Sequence, residues 1–406
     1  MHIAHFTNTY KPNINGVVRS ISTFRQALTR LGHQTFIFAP EARNYEEEEP
    51  FVFRYPAIDL PRFDYSFPLP VSPHIDWVFP ILKPDVIHSH HPVVLGQVAA
   101  DKAEKYNLPL VFTFHTRYTS YSYIVPFSEA FVNGIIVEWL AHYIQRCQHV
   151  ITPSDGIGRM LRDYGGIRER ITTIPTGIDL TPFQQADSSP IRHRYGLEQL
   201  RVLVTLGRLS MEKNWKTLLA AFAQVVQQQS DVRLIMIGDG PMREELEEYI
   251  EALGIKEHVI LTGLLPFEQI PAHLKAGDLF CFASVKETQG LVIMEALAAG
   301  LPVVAVKSTG VNEVVHDGMQ GLLTKEDSSE LAKAMLLLLE NEDLRKRLRS
   351  GALTKARTFD SRKQAERLLA VYEQAIEDKR AGHHVPVNRE LLKEHRRQLG
   401  RALASG

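Results

Sequence analysis

Two glutamates, Glu287 and Glu295, stand eight positions apart in SVKETQGLVIMEALAAGLPVVA (residues 284–305). The first lies among polar residues, the second inside a run of Leu, Val, Ile, Met and Ala. A carboxylate in apolar surroundings is costly unless something pairs with it. If a helix opens near Gly290, both carboxylates can face one pocket about two turns apart. Upstream, GRLSMEKNW (207–215) sets Arg208 and Lys213 between a predicted strand and a helix opening near Trp215. Strand ends in a wound α/β sheet meet ligands, and helix N-termini favour anions. Two cations there suit a diphosphate, with Arg able to hold its oxygens in pairs.

A sugar nucleotide would satisfy the whole set: ribose hydroxyls for Glu295, hexose hydroxyls for Glu287, and the diphosphate for Arg208 and Lys213. Glycosidases also use paired carboxylates, but the cationic partners point to a phosphorylated ligand. Each element also has a plain reading, a salt-bridged core residue for Glu295 and a solvated turn for the two cations.

Glycines mark two more candidate contacts. Gly16 in NINGVV opens the first helix, where a missing side chain lets backbone N–H groups approach a phosphate. Gly238 and Gly240 in IMIGDGPMREEL form a Gly-x-Gly turn after a strand. The dinucleotide fingerprint would need glycine where Arg243 stands and an acidic residue on the next strand, HVILTG, which has none. The turn therefore reads as lining a nucleotide pocket rather than as an NAD site.

Histidines gather at strand ends: His88, His90 and His91, then His115 in FTFHTRY. Without a nearby cysteine or carboxylate they make a poor metal set, and hydrogen bonding to substrate or core is the expected use. No metal and no separate cofactor is called for.

These residues need a scaffold. Short apolar runs (MHIAHF, QTFIFAP, PDVIHSHH, LPLVFTFH, HVITPS, ITTIPTG) alternate with helical periodicity such as Val17, Val18, Ile21, Phe24 and Leu28. That alternation predicts an α/β fold with parallel sheets covered on both faces. The polar stretch 179–196 interrupts it, and RVLVTLGRL restarts it, followed by DVRLIMIGDG, HVILTG, DLFCFAS and LPVVAV. Two Rossmann-like units of 1–185 and 186–360 are expected to face each other across a ligand cleft, with a helical segment at 361–406.

Composition excludes other classes. The chain has 406 residues, 44% hydrophobic and 23% charged, and a formal charge of −1, which gives no reason to expect nucleic acid. Two cysteines make a disulfide framework improbable, and no apolar run reaches membrane-spanning length. A cytoplasmic protein is expected, with surface attachment to a membrane left open.

The motifs NGVV, PDVIHSHH, FTFHTRY, VITPSDGI, IPTGID, GRLSMEKN, IGDGP, LTGLLP and KETQGLVIMEALAAGLPVVA run nearly end to end. Together they resemble glycosyltransferase family 4, the retaining nucleotide-sugar transferases of GT-B fold. The resemblance implies that Glu295 holds the ribose and Glu287 the donor sugar. It implies that Arg208 and Lys213 bind the diphosphate, helped by Gly16 and by Gln289, Gly290, Leu291 and Val292, with His115 beside the anomeric centre. It also implies a C-terminal helix returning to the N-terminal unit. Where many members have Gly-Phe-Gly, this chain has Thr288, Gln289 and Gly290. With TNTYKPNINGVV and HTRYTSYSYIVP, that variant is most similar to the branch containing diacylglycerol glucosyltransferases. A UDP-glucose-like donor and a lipid acceptor follow as expectations. Transfer to a soluble sugar or small metabolite, or a sugar-nucleotide epimerase, stands beside them. The rings and apolar side chains of Tyr118, Tyr121, Tyr123, Ile124, Val125, Pro126 and Phe127 suit a lipid-like acceptor, and the net +5 of residues 379–406 would favour anionic lipid.

Overall fold

The structure, a computed structural model, describes residues 1–13, 15–60, 65–115, 138–163, 166–287 and 289–388. The chain divides into two compact units, Met1–Gly177 with Arg362–Gly406, and Ile178–Ser361.

The first unit is built on seven parallel strands: β1 (His2–Phe6), β2 (Gln34–Pro40), β3 (Val52–Tyr55), β6 (Val86–Ser89), β7 (Leu110–Thr113), β8 (His149–Thr152) and β9 (Ile171–Thr173). Their order is β3-β2-β1-β6-β7-β8-β9, so the sheet is wound in opposite directions from β1 and β6. Strands β4 (Ala57–Leu60) and β5 (Tyr65–Pro68) form a separate antiparallel hairpin. The inner strands are apolar because both faces are covered. One face packs Phe6, Phe38, Ile87, Phe112 and Val150 under helix Leu95–Lys105. The other packs Ile3, Val86, Val111 and Ile151 under helices Gly16–Arg30 and Ser361–Arg380.

The last of these helices brings Ala365, Leu368, Val371, Tyr372 and Ala375 onto the first sheet. Burying each large apolar side chain stabilises by about 1.5–3 kcal/mol, so the returning helix is held by its own face. It is the return expected from the family resemblance.

The second unit has six parallel strands: β10 (Arg201–Leu206), β11 (Val232–Ile237), β12 (Val259–Gly263), β13 (Leu279–Phe282), β14 (Val303–Val306) and β15 (Gly321–Thr324). Their order, β12-β11-β10-β13-β14-β15, puts the reversal between β10 and β13. Its two faces are covered by separate buried clusters, one around Trp215, Phe222 and Leu246, the other around Phe280, Met294 and Val311. The chain enters and leaves this unit side by side: Ile178 N–H donates to Phe359 O (2.7 Å) and Ser361 N–H to Ile178 O (2.9 Å). The fold is therefore α/β with two Rossmann-like parallel sheets. No helix among the described residues is long and apolar enough to cross a membrane.

Candidate active site

In open parallel sheets, ligands sit beyond the carboxyl ends of the strands where the order reverses. In the second unit that point lies between the loops leaving β10 and β13, which carry Arg208 with Lys213 and Glu287 with Gln289 respectively.

The β10 loop is shaped by its neighbour. Gly238 has φ +136°, and a Cβ there would stand 2.0 Å from Gly207 O; one on Gly240 would stand 2.5 Å from Leu209 O. Only glycines let the two loops close up, after which Leu209 N–H reaches Asp239 O (2.9 Å) and Met242 N–H reaches Leu209 O (3.0 Å). What the structure gives Gly238 and Gly240 is thus a packing role beneath Arg208. Trp215 Nε1–H donates to Arg208 O at 3.1 Å, fixing the loop from the helix side.

Lys213 and Glu287, 74 residues apart, meet across the switch point, with Nζ donating to Oε1 at 2.6 Å. Their side chains are only 20% and 11% exposed, so the pair is partly desolvated. The Phe282 ring lies 5.9 Å from the ammonium. An ammonium has three donors, so two remain for other acceptors. Arg208 is exposed and, among the described residues, its guanidinium has no hydrogen-bond or ion-pair partner. Sequence reasoning assigned Lys213 and Glu287 to different parts of a ligand. The structure joins them.

Gly290 (φ +71°) turns the chain into helix Leu291–Ala298. Among the described residues the backbone N–H groups of Leu291 and Val292 make no hydrogen bond, leaving the donors that a helix start characteristically offers to anions. Gln289 is buried, and Glu295, one turn into the helix, is 4% exposed. Sequence reasoning missed Gly310. A Cβ there would lie 2.8 Å from Glu287 Cβ, so the backbone of helix Thr309–Val314 abuts the glutamate. The only sequence signal was a glycine just past an apolar strand.

In the first unit, Gly16 is exposed at the start of its helix, as expected. Asn15 Oδ1, however, already accepts from Val17 N–H and Val18 N–H, both at 3.0 Å. Two of the N–H groups assigned to phosphate are therefore taken by the cap. His88, His90 and His115 do converge, joined by His5, which its strand pattern did not single out. Ligating atoms of His5, His88 and His90 lie within 4.8 Å of one another. Yet five of these six ring nitrogens already face protein groups. His88 bonds Tyr372 Oη and Thr113 Oγ1 (both 2.7 Å), and His90 bonds His5 (3.0 Å) and His115 (2.9 Å). A metal ion there would have to displace them. His91 instead accepts from Asn8 N–H at 3.1 Å. Thr288, the segment from Tyr118 to Phe127 and the tail beyond residue 388 lie outside the described residues.

Two wound parallel sheets, with a lysine–carboxylate pair and an open arginine at one reversal, define a GT-B glycosyltransferase. A family profile described as "Glycosyltransferase Family 4" matches residues 14–182, and one described as "Glycosyl transferases group 1" matches residues 187–355. An alpha-monoglucosyldiacylglycerol synthase of Streptococcus pneumoniae is 31% identical over 332 residues, 80% of this chain and 75% of that protein. One from Acholeplasma laidlawii is 27% identical over 387 residues, 91% and 95% of the two chains. Among solved structures, Anabaena HepE in complex with UDP and glucose shares the fold at a TM-score of 0.74 and 23% identity, covering 92% of this chain and 99% of the other. The chain belongs to glycosyltransferase family 4.

Proposed function

We propose that this glycosyltransferase moves a hexose from a UDP-glucose-like donor to the hydroxyl of a lipid such as diacylglycerol, with retention at the anomeric carbon and without a metal ion. The observation that carries the reading is the Lys213–Glu287 pair bridging the loops of β10 and β13. The same two loops carry Arg208, exposed and without a hydrogen-bond or ion-pair partner among the described residues, and the N-terminus of helix Leu291–Ala298. Arg208 and the two spare donors of Lys213 would hold the diphosphate and stabilise the charge that grows on it as the C1–O bond breaks, usually the largest single contribution to catalysis. Glu287 would orient Lys213 and contact the sugar. Glu295 would accept from the ribose hydroxyls. The acceptor oxygen would bond to C1 on the face the diphosphate leaves, and its proton would pass to a phosphate oxygen of that leaving group.

The acceptor reading draws on the two relatives named for an alpha-monoglucosyl lipid product. It also draws on the first unit's surface, where Ile58, Val71, Trp77 and Ile81 are 55%, 64%, 68% and 58% exposed within one short stretch of chain. Large apolar side chains exposed to this degree suit a lipid surface better than water. The test offers UDP-glucose with diacylglycerol in mixed micelles, or with soluble sugars, and reads the anomeric configuration of any product by NMR. An α-glucosyl lipid is expected. A β-linked product would remove retention, product only on soluble sugars would remove the lipid acceptor, and conversion of the donor to another UDP-hexose would favour an epimerase.

A further inference from the structure

Three imidazoles form a hydrogen-bonded row along the carboxyl ends of β1, β6 and β7. His5 Nδ1 lies 3.0 Å from His90 Nε2, and His90 Nδ1 lies 2.9 Å from His115 Nε2. The inner end is sealed: His5 is 0% and His90 1% exposed, and His5 Nε2 is buried with no partner among the described residues. His115 is only partly buried, and its Nδ1 bonds no described residue.

Burial keeps these rings neutral. It lowers His5 to about 3, with a smaller push from Arg25, lowers His115 to about 3, and holds His90 well below the ordinary histidine range. A neutral imidazole has one N–H and one acceptor nitrogen, so two N···N bonds in series give the row a single polarity. One polarity would bury an N–H at His5 Nε2 with nothing to receive it. The other leaves a bare acceptor there and sends an N–H outward at His115 Nδ1. Orphaned buried N–H groups are the rarer defect, which selects the second.

We propose that His5 and His90 are positioning residues that fix His115 as its Nδ1–H tautomer, so that its Nδ1 edge offers a ligand oxygen a donor and no base. The ligand at that edge rests on the glycosyltransferase reading, whereas the tautomer does not. The basic nitrogen of His115 is occupied by His90, so the acceptor's proton has to leave by another route. A phosphate oxygen of the departing diphosphate is such a route.

The experiment is a long-range ¹H–¹⁵N spectrum of the full-length protein labelled at histidine, with His115 assigned from His115→Asn. The wild-type ring is expected as the Nδ1–H tautomer. His5→Leu removes the inner donor and should let His90 and His115 populate the Nε2–H form. His5→Asn, whose amide N–H stands in for Nδ1–H, should restore the wild-type pattern. Turnover should fall on the order of tenfold in His5→Leu, with little change in donor KM, and recover in His5→Asn. An Nε2–H signal for His115 in the wild type overturns the proposal whether or not any variant folds. So does an unchanged His115 tautomer in His5→Leu. A switched tautomer with unchanged turnover removes the ligand contact at His115. Absence of sugar transfer by the wild type would count against the functional reading and leave the tautomer to be decided by the spectrum.

Discussion

Each unit winds a parallel sheet to a reversal, between β1 and β6 in the first and between β10 and β13 in the second. The first fills its reversal with neutral, mutually bonded imidazoles, buried at His5 and His90 and partly buried at His115. The second places charge there: a lysine–glutamate pair, an open arginine, a buried glutamate and a bare helix start. The same topology thus serves opposite electrostatic ends. On the proposed reading, charge belongs where a diphosphate is to be held and its growing negative charge met. On the same reading, a neutral row of rings suits a place where a hydroxyl is to be oriented without losing its proton to the protein.

If that contrast is right, the largest effect comes from removing a cation of the second unit. Lys213→Ala and Arg208→Ala should each cut turnover by about 10²–10³, the usual loss for one donor to a developing charge, read as kcat under saturating donor. Lys213→Ala should also melt lower, because Glu287 is left partly buried without its partner. Turnover equal to the wild type's in both variants would dissolve the contrast.

Gly238→Ala tests the scaffold beneath Arg208. A Cβ placed 2.0 Å from Gly207 O forces the β10 loop away, and overpacking of this kind costs about 1–3 kcal/mol. Thermal melting should drop and UDP affinity, measured by calorimetry, should fall with it. Retained affinity would mean that the loop is not tuned by this contact.

Glu295→Gln should weaken UDP binding about ten- to a hundredfold with the melting temperature nearly unchanged, since a charge-assisted hydrogen bond is worth about 1.5–3 kcal/mol. A melting shift with intact affinity would make Glu295 a structural residue.

Acid should act on the first unit. His5, His115 and His91 are held at about 3, 3 and 4, and His88 and His90 lie well below the ordinary range, all chiefly by burial. The unfolded chain takes up protons below about pH 6.5 while the folded rings refuse them. Stability is therefore full above that value and is lost as pH falls towards 3–4, by at most ~1.4 kcal/mol per pH unit for each ring. Hydrogen exchange, corrected for its intrinsic pH dependence, should loosen β1, β6 and β7 before β10 and β13. The reverse order would break the comparison.

The second unit was the more legible in the sequence. RVLV, RLIMI, LFCF and VVAV are apolar runs that could only be buried strands, and Gly290 and Trp215 mark the helix starts where the structure has them. Arg208, Lys213, Glu287 and Glu295 stood out because charge beside such runs demands a partner. The contact between Lys213 and Glu287 did not, because it depends on β10 and β13 pairing across 74 residues. His5 was hidden for the same reason. Within HIAHF it reads as an ordinary strand position, and only the register His5↔His88 brings it to the row that ends at His115. The hairpin β4–β5 and strand β15 were also missed, being four-residue strands without a long apolar run.

The most direct test of the central claim, that protein cations rather than a metal ion carry the leaving diphosphate, is release of UDP from UDP-glucose by the full-length protein in excess EDTA with diacylglycerol in mixed micelles. Release that depends on the acceptor and proceeds at the same rate with and without the chelator is the expected result. Complete loss in EDTA, restored by a divalent ion, would contradict it and return the histidine cluster to consideration as a metal site.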